Sequence, residues 1–233
     1  MSSNNSLSFT KENLNNYLKE LAKEYHRINK MPMEVILVGG ASVIVRYGFR
    51  DTTTDIDAIY RADNSLKEAA NRVGDKFGLP NNWFNKDVMK TDSYSGKLIE
   101  CSTYYKKFYN VEFRVVSAEY LIAMKMRAGR EYKNDLSDIV GILIEHQKEG
   151  SPITYDKIDR AVGKLYGGWA DIKEDIRNYV EEVLSYENLQ VAYAAVQAEQ
   201  QHSKKVLTEF QEKYPDVLCE DNLDSILKQL RDN

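Results

Sequence analysis

The chain has 233 residues, 42% hydrophobic and 29% charged, with a formal net charge of -4. That is an ordinary globular composition with enough length for a sizeable core, and its acidic balance excludes a chain-wide electrostatic footprint for nucleic acid, leaving only local basic patches. Cys101 and Cys219 suit neither a disulfide framework nor a cysteine metal site, and His26, His146 and His202 are too scattered for zinc; without an apolar leader or membrane-length apolar run, a cytoplasmic location with no membrane partner is expected.

Residues 1–9 read as a polar tail. Thr10 is a candidate helix N-cap, with Leu14, Leu18, Leu21 and Tyr25 following at helical spacing. After Pro32, residues 34–38 read as a buried strand, and Gly39-Gly40 leads into a short helix over 41–47 that Gly48 stops. A second strand is expected over 54–60 and an amphipathic helix over 64–74. Residues 78–96, rich in Asn, Asp, Gly and Ser, read as irregular. Strands are expected over 97–103 and 109–116, with 104–108 extending or joining them. Helices follow over 117–128 and 135–145, the second with Leu136, Ile139, Val140, Leu143 and Ile144 in 3.6-residue rhythm.

Gly150-Ser151-Pro152 is a break. Beyond it the patterns are helical, over 154–166, 169–185, 187–213 and 222–231, with Gly167-Gly168 and Pro215 as punctuation. The organisation is therefore a tail and helix over 1–30, a mixed core over 31–150, and a helical region over 151–233, whose helices could also pack back on the sheet. The expected fold class is α+β, a mixed sheet with flanking helices and a helical C-terminal region.

The chemistry concentrates where the first strand meets its glycines and the second carries Asp55-Ile56-Asp57. Strand period is two, so Asp55 and Asp57 share a face. Like charges that close repel unless a cation lies between them, the arrangement that holds Mg²⁺, or Mn²⁺, against a nucleoside triphosphate. A solvated surface pair is the competing reading, but Ile56, Ala58 and Ile59 mark a strand buried on its other face. Gly39 and Gly40 let the backbone approach an anion, the helix start offers N–H groups, and Ser42 could add a hydroxyl. A tight turn without a ligand is the alternative.

Val38-Gly39-Gly40 followed by Asp55-Ile56-Asp57 resembles the signature of the nucleotidyltransferase superfamily that includes DNA polymerase β. The segment over 47–54 is similar to the bacterial branch of toxin–antitoxin and abortive-infection nucleotidyltransferases, where an Arg and a Thr precede the Asp pair; Arg50 and Thr53 match them. Residues 117–139 resemble that branch's helix with a lysine, Lys125, followed by an arginine, Arg130, and an Asp-x-x-Asp, Asp135 and Asp138. Together these blocks cover about residues 34–145.

The resemblance implies transfer of an NMP from an NTP to an acceptor with release of pyrophosphate. Asp55 and Asp57 would bind the metal. Gly39, Gly40, Ser42, Arg50, Thr53, Lys125 and Arg130 would serve the nucleotide, Lys125 as a point charge on the triphosphate. Arg127 or Arg130 would assist or hold the acceptor. Asp135 and Asp138, three apart on one helical face, would orient Lys125 or Arg130 or help activate the acceptor, a helix cap being the rival role for Asp135.

The superfamily's third carboxylate falls on Glu112, the candidate third metal ligand and general base, although an ion pair with Arg114 or a nearby lysine competes for it. The implied acceptor is tRNA or another RNA, then a protein side chain, with a small molecule open and a cognate antitoxin as a further partner. Tyr104-Tyr105-Lys106-Lys107-Phe108-Tyr109 reads either as an RNA grip or as a twisted hairpin with solvated lysines. The rival from another class is a catalytically degenerate member acting as a binding or regulatory module.

Overall fold

The computed structural model describes residues 8–61, 63–130, 133–219 and 222–231. Helix α1, Lys11–Ile28, opens on a reciprocal cap: the Asn13 amide donates to Thr10 Oγ1 at 3.3 Å and the Thr10 amide donates to Asn13 Oδ1 at 2.8 Å. The tail assigned to residues 1–9 falls mostly outside the described residues, but Phe9 corrects its end. Phe9 is fully buried, pairs with Thr53 through two backbone bonds and lies edge-on to Tyr17. An aromatic ring gains more from that burial than its polar neighbours lose.

Strand β1, Met33–Leu37, runs through Val38 into helix α2, Gly39–Arg46; β2, Ile56–Ile59, follows. Helix α3, Asn64–Phe77, ends on Gly78 in the left-handed region, and a short β3, Phe84–Asn85, lies in the stretch expected to be irregular. Strands β4, Ser102–Phe108, and β5, Val111–Val116, form a hairpin.

The strand expected over 97–103 is corrected. Residues Gly96–Ile99 form a 3-10 turn, and β4 lies over Ser102–Phe108, so 104–108 is itself strand, the extension that is one of its two readings. Leu98 and Cys101 are buried while Ile99 is 45% exposed, a spacing of three that belongs to a turn and not to the alternation of a strand.

The five strands are ordered β3-β2-β1-β5-β4, with β1–β2 and β4–β5 antiparallel and β1–β5 and β2–β3 parallel. This is the mixed sheet with flanking helices that the pattern implied. Alternation divides the sheet's apolar residues between two clusters. Val35, Leu37, Ile56, Ala58 and Phe113 face α1 and α3. Ile36, Val38, Ile59 and Val116 face the other way, toward α4, Ala118–Ala128, and α5, Asp135–Lys148.

That second cluster continues without a break into α6, Tyr155–Tyr166, α7, Glu174–Leu184, and α8, Leu189–Lys213. The helices after the Gly150–Pro152 break thus share one core with the sheet. A last helix, α9, Leu223–Arg231, packs on α8. Among the described residues, no helix is long and apolar enough to cross a membrane.

Candidate active site

Asp57 faces the α4–α5 side of the sheet. The register pairs Ile36 with Ile59, and the Val38 amide donates to the Asp57 carbonyl at 3.1 Å, so Asp57 lies level with the residue that leads into the glycine turn. Gly39 has φ of +56°, the left-handed region that glycine enters without strain. A Cβ on Gly39 would sit 3.2 Å from Asp57 Oδ2, so glycine also keeps the turn close to this carboxylate.

Gly40 is needed for a different reason. A Cβ there would lie 2.5 Å from Thr53 Oγ1 and 2.9 Å from Arg50 Nη2. The space beside the turn is filled by the chain's own Arg50 and Thr53, which brace it from outside the cleft. Ser42 is 1% exposed, its hydroxyl has no partner among the described residues, and it is not part of the cleft wall.

The cleft itself has a volume of about 320 Å3. Its sheet wall carries Gly39, Asp55 and Asp57; its helical wall carries Leu121, Met124, Lys125 and Ala128, one face of α4 at helical spacing. Arg130, Lys133 and Asp135 continue the helical wall, and the polar segment from Asn82 to Ser93 also lines the cleft, bringing in Asp87. The Asp57 carboxyl is pushed up to about 6, first by desolvation and then by the charge of Asp55, with Asp87 adding to the rise and Arg130 and Lys133 opposing it. Desolvation is the largest of these influences, so the carboxyl is raised chiefly because the fold withholds water from it.

The helical wall is compensated internally. Gly129, left-handed at the end of α4, turns the chain so that α5 begins beside Lys125. Lys125 Nζ lies 2.6 Å from Asp138 Oδ2 and 3.3 Å from Asp135 Oδ1, with all three side chains at most 7% exposed. Arg130 Nε donates to Asp135 Oδ2 at 2.9 Å, and Arg50 Nη1 donates to Asp138 Oδ2 at 2.6 Å. Burial is the largest single influence on Asp135 and would raise its pKa, but the charges and hydrogen bonds of Lys125 and Arg130 together hold it below the usual carboxylate range. The i, i+3 spacing of Asp135 and Asp138 does place both on the face that meets Lys125.

Glu112 is not brought to the Asp pair. Register sets Glu112 level with Glu34, whereas Asp57 is level with Val38. That separation of four residues is roughly 13 Å along the strands. Glu112 instead accepts from Arg114 Nη1 at 3.0 Å, on the sheet face outside the cleft. It cannot complete a metal site there, and the further acids in the cleft wall are Asp87 and Asp135.

Arg127 also points elsewhere, donating to the carbonyls of Asp92 and Asp171 and lying over the Tyr166 ring. The aromatic and lysine run belongs to β4, the sheet edge opposite β3, where Tyr105 Oη donates to Asn15 Oδ1 at 2.8 Å. Asp87 is an acidic cleft residue that the sequence did not single out; it lies in the segment read as irregular, and only its acidic side chain in a polar stretch marks it.

Among the described residues no group of three or more His, Cys, Asp or Glu could hold a metal by itself. The donor set nevertheless fits a divalent cation that arrives with phosphates. Mg²⁺ commonly takes one or two carboxylates and completes its shell from substrate oxygens and water, and Asp55 with the poorly solvated Asp57 supplies hard oxygen donors whose mutual repulsion a cation relieves.

No curated protein and no solved structure matches the chain. Its sequence does match a family described as "Nucleotidyltransferase of unknown function (DUF6036)" over residues 13–149, a span that begins within α1, takes in the whole sheet and the cleft, and stops at the end of α5. With more than half of its length inside that match, the chain belongs to this nucleotidyltransferase family.

Proposed function

We propose that the protein is a Mg²⁺-dependent nucleotidyltransferase that moves an NMP from an NTP to an acceptor and releases pyrophosphate. The observation that carries this reading is the charge division of one cleft: Asp55 and Asp57 on the sheet wall face a lysine and an arginine on the helical wall. Asp55 and Asp57 hold the cation, which supplies Lewis-acid stabilisation of the phosphate oxygens when bound. Lys125 and Arg130 present positive charge to the triphosphate and to the leaving pyrophosphate. Asp135 and Asp138 fix the Lys125 ammonium, so that little reorganisation is needed when charge develops. Arg50 and Thr53 act as positioning residues for the glycine turn.

The similarity of residues 47–54 and 117–139 to toxin-type enzymes supports RNA, tRNA foremost, as the acceptor, a protein side chain as the next choice, and a cognate antitoxin in a cytoplasmic setting. The test is label transfer from each α-labelled NTP with Mg²⁺, comparing wild type and the Asp55→Ala/Asp57→Ala double variant, with RNA and protein fractions separated. Label in RNA with wild type alone supports the reading and names the base. Label on protein moves the acceptor to a side chain. Equal labelling by the double variant removes the proposed metal site.

A second reading is favoured by one observation: no third carboxylate joins Asp55 and Asp57 in a metal cluster among the described residues. A nucleotide-binding module without turnover accounts for that. It is distinguished by Mg²⁺·NTP binding that persists while no acceptor is labelled.

A further inference from the structure

Asp138 connects two cavities. Lys125, which it grips, lines the cleft; Asp138 itself and its other partner, Arg50, line a second cavity of about 220 Å3. This one lies between the loop over 49–52, the first turn of α5 and the middle of α8, and Ser137, Gln197, Gln200, Gln201 and Lys204 also form its wall.

Three features of this cavity call for an anion. The first is its cations. Arg50 and Lys204 share the space with two carboxylates, Asp138, which serves Lys125 as well as Arg50, and the exposed Asp51. The environment holds the Lys204 ammonium below the usual lysine range, through desolvation first and then repulsion from Arg50, with Asp138 opposing.

The second feature is a buried amide. Gln200 is 5% exposed, and its Nε2 has no partner among the described residues, a donor whose burial costs free energy until an acceptor arrives. The third is the start of α5, a helix of 14 residues whose N-cap Asn134 makes no side-chain cap. Asn134 Oδ1 is instead taken by Lys204 Nζ at 2.8 Å, and the first amides of a helix have no intrahelical acceptor.

We propose that this second cavity is a phosphate subsite, holding a phosphate mono- or diester between Lys204, Gln200 and the first turn of α5. The phosphate belongs either to the NTP tail or to an acceptor strand. Its ownership rests on the nucleotidyl-transfer reading; the binding itself does not.

The experiment is a titration of inorganic phosphate and of pyrophosphate into the full chain in metal-free buffer, read at the backbone amide signals of Leu136 and Ser137 by NMR. Metal-free conditions leave the carboxylates of the cleft repelling anions; Asp57→Asn relaxes that repulsion, so an affinity that rises in it would place the anion in the cleft and overturn the subsite. Saturable shifts are expected in wild type and in Asp57→Asn, with affinity falling about tenfold in Lys204→Glu and less in Gln200→Met. Thermal melting confirms that each variant is folded. Absence of saturable shifts in wild type, or equal affinity in Lys204→Glu, overturns the subsite.

In a second arm an NTP or a short single-stranded RNA replaces the free anion. Whichever moves the same signals at lower concentration, in a Lys204-dependent way, supplies the phosphate. Retained nucleotidyl transfer by Asp57→Asn would sink the catalytic reading and leave this binding result standing.

Discussion

The two walls of the cleft carry acidic residues in opposite circumstances. On the sheet wall Asp57 has no ion pair among the described residues and its carboxyl is pushed up to about 6 by desolvation and by Asp55. On the helical wall Asp135 is more deeply buried, yet Lys125 and Arg130 hold its carboxyl low. The contrast teaches that burial alone does not mark a reactive carboxylate; the balance of nearby charge does. Among the described residues, the helical-wall carboxylates are ion-paired within the fold and Asp57 is not.

The sharpest break of that contrast is removal of either sheet carboxylate. Asp55→Ala or Asp57→Ala should lower transfer at least about a hundredfold, because the electrostatic stabilisation of the reacting phosphate goes with it. The same variants should melt no lower than wild type in metal-free buffer, since they remove repulsion. Transfer rates and thermal melts measure the two effects together.

Asp138→Ala attacks the other wall and should act in the opposite sense on stability. It strands Arg50 and leaves Lys125 with Asp135 at 3.3 Å, and breaking a buried pair from one side costs about 3–5 kcal/mol. Chemical denaturation measures it, and a loss under about 1 kcal/mol would contradict the view that this network is part of the folded framework.

Gly40→Ala tests the brace beside the glycine turn. Its new methyl would meet Thr53 and Arg50, and overpacking of this kind costs about 1–3 kcal/mol, read again by denaturation. Gly39→Ala should strain the backbone as well, because of its positive φ.

The pH response separates the walls more finely. Asp57 carries a value of about 6 in the fold against an ordinary 3.8, so the folded chain holds this proton more tightly than the unfolded one. Metal-free stability from this group is therefore greatest below the ordinary value, declines as pH rises from about 4 to about 6, and then levels off. Asp57→Asn should abolish that component of the melting curve, and Mg²⁺·NTP binding should strengthen as pH climbs through about 6. The smallest effect is expected from Glu112→Gln, less than about threefold on transfer, since its partner is Arg114 and the cleft lies elsewhere.

What the sequence revealed follows from how local each feature is. Gly39-Gly40 and Asp55-Ile56-Asp57 were legible because each is a short pattern whose geometry strand and turn chemistry dictate. The meeting of Lys125 with Asp135 and Asp138 was partly legible, through helical spacing on either side of Gly129. The Arg50–Asp138 pair was not, because it spans 88 residues and no local period encodes it.

Glu112 shows the same limit from the other direction. Its alternation within β5 was read correctly, but the register of β5 on β1 decides how far along the sheet it falls, and that register is a tertiary property. Asp87 was missed because a two-residue strand and a 3-10 turn inside a polar segment leave no periodicity to read. Phe9 was hidden by its polar neighbours, although a lone aromatic there was the available sign.

The most direct measurement is calorimetric titration of an NTP into wild type and into the Asp55→Ala/Asp57→Ala double variant, each with Mg²⁺ and with chelator. The expected result is binding by wild type in the presence of Mg²⁺, lost on chelation and lost in a double variant that melts no lower than wild type. Equal NTP binding by the double variant, or binding by wild type that ignores the removal of Mg²⁺, would contradict the assignment of the sheet carboxylates as the place where a metal and a nucleotide meet.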